Sequence, residues 1–175
     1  MTMTTPTTTT APLTREEAES LLSRECRMLD ELRYEEWLDL FTDDGLYWLP
    51  IIDGEPEDAP KLISILFDDA QRRSERVYRT LHTPVLDQNP RSRTVHMVSN
   101  IEVFDSADGP KVLCSMLITE LRPGGPQQAG LNETRILPAR CEYRFRKEGD
   151  VWRITLKKVN LLAAGQPLYN LAFII

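Results

Sequence analysis

Apolar residues recur at spacings of three and four between Ala18 and Leu32, and from Thr94 onward the pattern changes to alternation. That change of period predicts a helical first half and a strand-built second half. Ala18, Leu21, Leu22, Met28, Leu29 and Leu32 make one helical stripe, interrupted by Glu25. Thr14 and Glu17 precede it with the spacing of a capping box. Glu25 is either an amphipathic side chain reaching out to water or an acid paired inside the fold. A short second helix is expected to carry Tyr34, Trp37, Leu38 and Phe41 on one side. Asp43-Asp44-Gly45 reads as a turn into a strand over 46–52, with Pro50 marking an edge or a strand end. The acidic stretch 53–60 predicts an exposed loop. A third helix is expected over about 67–81, with Ala70, Arg73, Val77 and Leu81 in register, followed by a loop from His82 to Arg91.

Strands are expected near 94–104, 110–121, 133–146 and 150–162, with a last apolar segment at 168–175. Gly109-Pro110, Pro123-Gly124-Gly125-Pro126 and Gly149-Asp150 mark the turns between them. Cys141, Tyr143 and Phe145 alternate with Glu142, Arg144 and Arg146, so one face of that strand is buried and the other wet. Helices first and long antiparallel strands afterwards predict an α+β domain, with a curved sheet wrapped around about three helices. The Thr-rich residues 1–13 are expected to be a disordered tail, and 14–175 a single domain.

Composition narrows the function. Lys and Arg are interleaved with acids at a net charge of −6, which disfavours nucleic-acid binding. No apolar run reaches the length of about 18 residues that a membrane span needs. The N-terminus lacks the layout of a signal peptide, so a cytoplasmic location is expected. Cys26, Cys114 and Cys141 form no CxxC pair and are expected to be buried free thiols. With two histidines, His82 and His96, a self-contained zinc or iron site falls short of its usual ligands.

Candidate chemistry concentrates in residues 91–100, where Arg93, His96 and Asn100 stand among Val95, Met97, Val98 and Ile101. Polar groups in such a strand need partners. His96 has two readings. It is a general base in a cavity, with Asp44 or Tyr47 beside it, or it is bonded to a carboxylate or carbonyl that ties strand to helix. Glu25 is the candidate carboxylate. Asp43 and Asp44 are paired acids or plain turn residues, and Tyr47 and Trp48 are core or interface aromatics rather than ligand stackers. Ser92, Arg93 and Thr94 bind an anion or anchor the strand. His82 is expected at a helix C-terminus, where positive charge is favoured. No phosphate loop and no nucleophile elbow is present.

Several segments together resemble one family. They are Glu25-Cys26-Arg27-Met28-Leu29-Asp30, Tyr34-Glu35-Glu36-Trp37-Leu38, Tyr47-Trp48-Leu49-Pro50, Ile65 to Asp69, Arg76-Val77, Pro90 to Asn100 and Trp152-Arg153-Ile154. The family is the small (beta) subunit of aromatic-ring-hydroxylating dioxygenases, the Rieske non-haem iron oxygenases. The resemblance implies a cone-shaped fold similar to scytalone dehydratase and ketosteroid isomerase. It implies a non-catalytic subunit that self-associates as a trimer and joins a large alpha subunit in an alpha3beta3 hetero-hexamer. The holoenzyme would carry out O2-dependent dihydroxylation of an aromatic compound with NAD(P)H-derived electrons. The Rieske [2Fe-2S] cluster and the mononuclear Fe(II) would sit in the large subunit. The ligand count agrees, because a Rieske centre takes two Cys and two His and a facial triad takes two more His. Two histidines cannot serve both. On this reading Tyr47, Trp48, Pro50, Arg93, His96 and Asn100 are structural or assembly residues, and Trp48, Met97 and Tyr143 fill the cone. The alternative is a stand-alone dehydratase or isomerase of the same fold using His96. Two departures from the family stand out: Leu81-His82-Thr83-Pro84 lacks an expected Thr-Gly, and the 53–60 loop is short and acidic.

Overall fold

The computed structural model describes residues 12–84, 88–123, 132–168 and 171–175. Residues 1–11 of the tail predicted over 1–13 and the Gly124-Gly125-Pro126 turn lie outside these residues, while Leu13, placed in that tail, is buried in the core. Helix α1 spans Arg15–Asp30 and starts on the expected capping box, with the Thr14 side chain accepting from the Glu17 backbone and Glu17 reaching back to Thr14. Helix α2 covers Tyr34–Leu38, and α3 covers Ala70–His82 with Asp69 as its N-cap.

Six strands make one mixed sheet. They are β1 (Phe41–Pro50), β2 (Ser64–Asp68), β3 (Arg93–Phe104), β4 (Lys111–Leu121), β5 (Thr134–Glu148) and β6 (Val151–Leu161). Their order is β2-β1-β6-β5-β4-β3, with β1 and β6 parallel and the other neighbours antiparallel. The four C-terminal strands fall where alternation placed them, although β6 buries Leu156, Lys157, Lys158 and Val159 in succession.

Three elements differ from expectation. Phe41 opens β1 instead of ending α2, and Asp43-Asp44-Gly45 lies inside that strand. The β1–β6 register shifts between Phe41 and Leu46, so the three residues form an irregular crossing rather than a turn. Gly45 is required there, since a Cβ would lie 2.7 Å from the Ile154 carbonyl oxygen. Residues 64–68, partly assigned to the third helix, form the edge strand β2 instead. The acidic loop holds a 3-10 turn over Pro56–Lys61.

One sheet face carries the helices and the core. Val112, Met116, Ile118, Leu137, Ala139, Tyr143, Phe145, Ile154 and Val159 from the sheet meet Leu22, Met28 and Leu29 of α1. Phe173, Ile174 and Ile175 pack into the same cluster. Helix α1 lies along β3, which sets which residues of the two can meet.

Candidate functional site

Glu25 is buried on α1 and turned inward. Its Oε1 accepts from Trp37 Nε1 at 2.9 Å and from Lys157 Nζ at 2.7 Å, and its Oε2 accepts from Tyr143 Oη at 2.8 Å. Lys157 is fully buried, and its ammonium lies 5.6–5.8 Å from the ring centres of Trp37, Tyr47 and Tyr143. An ion pair this deep survives because both oxygens of the acid are bonded and the cation is ringed by aromatic faces. Beside it, Tyr47 Oη donates to the Ile175 carbonyl at 2.8 Å and accepts from the Ile175 N–H at 3.0 Å. Burial raises the phenols of both Tyr47 and Tyr143, so neither ionises near neutrality. The inside of the domain is thus a satisfied polar cluster packed within apolar side chains. Lys157 escaped the sequence reading, although a Lys-Lys pair in an alternating strand was a signal that one of them points inward.

His96 is not bonded to Glu25. Its Nδ1 lies 2.6 Å from Asp30 Oδ1, and its backbone N–H donates to Asp30 Oδ2 at 3.0 Å. Thr94 Oγ1 donates to the same Asp30 at 2.9 Å. Burial alone would raise the Asp30 carboxyl, but the hydrogen bonds from His96 and Thr94 outweigh it and hold it below the usual range. An ionised carboxylate can only accept, so Nδ1 carries a hydrogen and donates it to Asp30. The helix-to-strand tie expected of His96 exists, with Asp30 as the acid.

The remaining candidates separate. Asp44 is exposed and forms a two-point contact with Arg146 at 2.7 and 3.0 Å, which holds its carboxyl well below the usual range. It approaches neither His96 nor Tyr47 in any bond. Trp48 is buried on the opposite sheet face from Tyr47, edge-on to Phe67, with Nε1 donating to Ser64 Oγ at 2.8 Å. Met97 is half-exposed on that outer face. Of the three residues expected to fill the cone, Tyr143 does so and Trp48 and Met97 do not. Pro50 ends β1 at a register shift opposite Ser64. Asn100 is exposed at the β3 bulge with φ 54°, donating to Ser115 Oγ at 3.2 Å. Ser92 is buried and donates to Glu120 Oε1 at 2.6 Å, an anchor rather than an anion site. His82 ends α3 with its ring against Tyr78. The three cysteines are free and buried. Among the described residues no group of three His, Cys, Asp or Glu side chains is placed to hold a metal, and no helix is long and apolar enough to cross a membrane.

The model of the ring hydroxylating beta subunit family matches residues 24–165. The chain belongs to this family. The small oxygenase component of the p-cumate 2,3-dioxygenase system of Pseudomonas putida is 33% identical over 147 residues, covering 83% of this chain and 78% of that relative. The beta subunit of toluate 1,2-dioxygenase from Pseudomonas putida is 31% identical over 98 residues, covering 54% of this chain and 60% of that one. Among solved structures, the beta subunit of benzoate 1,2-dioxygenase from Burkholderia mallei superposes with a TM-score of 0.70 at 22% identity, covering 94% and 100% of the two chains. A putative scytalone dehydratase from Novosphingobium aromaticivorans gives 0.59 at 15%, covering 82% and 80%. At such identities these likenesses establish the α+β fold alone, and they agree with the fold expected of a ring-hydroxylating beta subunit.

The outer sheet face of this beta subunit is divided in two. Near the 53–61 loop it is covered: Lys158 Nζ meets Asp53 at 2.5 Å and Arg144 meets Glu55 at 3.3 Å, so the loop's acids dock it on the sheet's cations. Toward the other end, Met97 pairs with Leu117 and Leu117 with Pro138 across three strands, while Val95, Thr119 and Ile136 form the neighbouring row. Val95, Met97, Leu117, Ile136 and Leu162 are 43–79% exposed. Arg93 and Arg140 are exposed on the same face.

Proposed function

We propose that this chain is the non-catalytic assembly subunit of a multicomponent aromatic-ring-hydroxylating dioxygenase. It holds iron-bearing large subunits in an alpha3beta3 hexamer for O2-dependent dihydroxylation of an aromatic compound. The Rieske cluster and the mononuclear iron belong to the large subunit, which also receives the NAD(P)H-derived electrons. The observation that carries this reading is the outer face. A sheet face left to water alternates with polar residues, whereas this one presents contiguous rows of apolar side chains with arginines beside them, the composition of a protein interface. The filled interior supports it: Glu25, Lys157, Tyr143 and Tyr47 spend their hydrogen bonds on one another, on Trp37 and on the chain's own C-terminal segment. Self-association as a trimer would bury one part of the outer face and the large subunit another.

The test is the native mass and chain composition of the protein purified from its own cells. An assembly of equal numbers of this chain and a larger iron-containing chain is the expected result. Recovery of this chain alone, with a dehydratase or isomerase activity that His96→Ala abolishes, would overturn the proposal.

A further inference from the structure

The two edges of the sheet are treated differently. At the β3 edge α1 runs alongside, and the His96 N–H, which faces away from β4, is taken by Asp30. At the other edge β2 has β1 as its one neighbouring strand. Among the described residues, α3 bonds the β2 backbone at its last two residues, Arg72 Nη1 to the Phe67 carbonyl at 3.1 Å and Arg73 Nη1 to the Asp68 carbonyl at 3.5 Å. A strand with one neighbour leaves about half of its N–H and C=O groups pointing away from it. The segment Leu62-Ile63-Ser64-Ile65-Leu66-Phe67 holds no charge and no proline, the residues that usually blunt such an edge. Exposed apolar side chains gather at its start. Ile51 and Ile52 donate their N–H groups to the Ile63 carbonyl at 3.0 and 3.3 Å, and the three are 40–63% exposed. β1 runs parallel to β6 and antiparallel to β2, so these isoleucines share one end of the sheet with Leu162. Leu162 follows β6 and donates its N–H to the Pro138 carbonyl, which joins this end to the apolar rows of the outer face.

We infer that the β2 edge is a strand-addition site, and that its occupant is an extended, uncharged, apolar segment of the large subunit. The inference rests on the assembly reading and names where the partner's backbone engages. Added strands gain affinity from main-chain hydrogen bonds and specificity from the side chains beside them. β2 is five residues long, so its ladder is short and the isoleucine cluster must supply part of the contact. Symmetry selects the partner. Two β2 edges laid against each other close a two-fold dimer, which a three-fold assembly of this chain does not contain. A ring of like copies would need β2 of one on β3 of the next, and α1 and Asp30 stand against that. A strand from a different chain meets neither obstacle. It must carry no charge, since any charge laid along Ile63 to Phe67 would lose water without gaining a counter-ion.

Amide hydrogen exchange over residues 62–68, read in the isolated small subunit and in the assembly purified from its own cells, tests the site. The amides of 62–68 should exchange about tenfold more slowly in the assembly, the value of one added hydrogen bond. β5 has a strand on both sides in either state and is the internal control. Ile63→Lys places a charge where the side chain already faces water, so the isolated chain should keep its thermal midpoint and its oligomeric mass. The same variant should recover at least about tenfold less large subunit. An assembly that forms with 62–68 unprotected, or that Ile63→Lys leaves intact, would overturn this inference alone. Failure to recover any large subunit would overturn it together with the assembly reading. Protection of 62–68 that grows with the concentration of the isolated chain would give the edge to a second copy and overturn the choice of partner.

Discussion

Removing the Glu25 carboxylate by Glu25→Leu leaves Lys157 charged, enclosed and unpaired, together with two orphaned donors on Trp37 and Tyr143. That single change should cost about 3–5 kcal/mol, while Glu25→Leu with Lys157→Met should recover much of the loss. Urea midpoints of the isolated chain give both numbers, and a double variant no more stable than the single one would contradict the pairing. Asp30 makes a prediction in pH. Its carboxyl is held below the usual range in the fold, so its contribution is fully present above the ordinary value of about 3.9 and is lost as pH falls through the folded one. The stability gap between wild type and Asp30→Asn should narrow as pH falls below about 4. A gap that stays constant down to about pH 3 would speak against an ionised Asp30. The sequence marked both Glu25 and His96 as polar groups in apolar company, and it joined them wrongly. Which acid meets His96 depends on how far α1 slides along β3, and that crossing is decided by packing outside either segment.

At the level of elements, β4 and β5 were legible because each buries alternate residues, and α1 was legible from its cap and stripe. The first half of β1 was hidden for a local reason, while its second half falls in the strand expected over 46–52. Asp-Asp-Gly is turn chemistry in most settings, but here Asp44 pairs with Arg146 of β5, and Gly45 lets β1 approach β6. Gly45→Ala should therefore destabilise the chain far beyond its small propensity effect, since the obstacles are backbone oxygens of Ile154 and Thr42 that cannot swing aside. Asn100 is the second such residue. Its positive φ sits at the bulge of β3, a conformation asparagine tolerates and β-branched residues do not. Asn100→Gly should be nearly neutral and Asn100→Val should cost about 1–2 kcal/mol. Thermal midpoints would show the two variants apart, and equal losses would argue that the Ser115 hydrogen bond, not the backbone, keeps Asn100 there.

For the molecule as a whole, the sequence showed the inner face of the sheet but not the meaning of the outer one. Val95, Met97, Leu117 and Ile136 looked like ordinary members of apolar-rich strands, and Met97 was placed inside. Only the register brings exposed Met97 and Leu117 into one row with Pro138 on the outer face. That row matters most for the assembly reading, because it is what a partner would cover. The decisive measurement is the amount of large subunit recovered with Met97→Glu/Leu117→Glu, compared with wild type, alongside the thermal midpoint of the isolated small subunit. Both side chains already face water in the single chain, so its midpoint should hardly move. Two carboxylates at the centre of an apolar contact should cut the recovered assembly at least about tenfold, with dioxygenase activity falling in proportion. Full assembly and full activity in this variant would contradict the account.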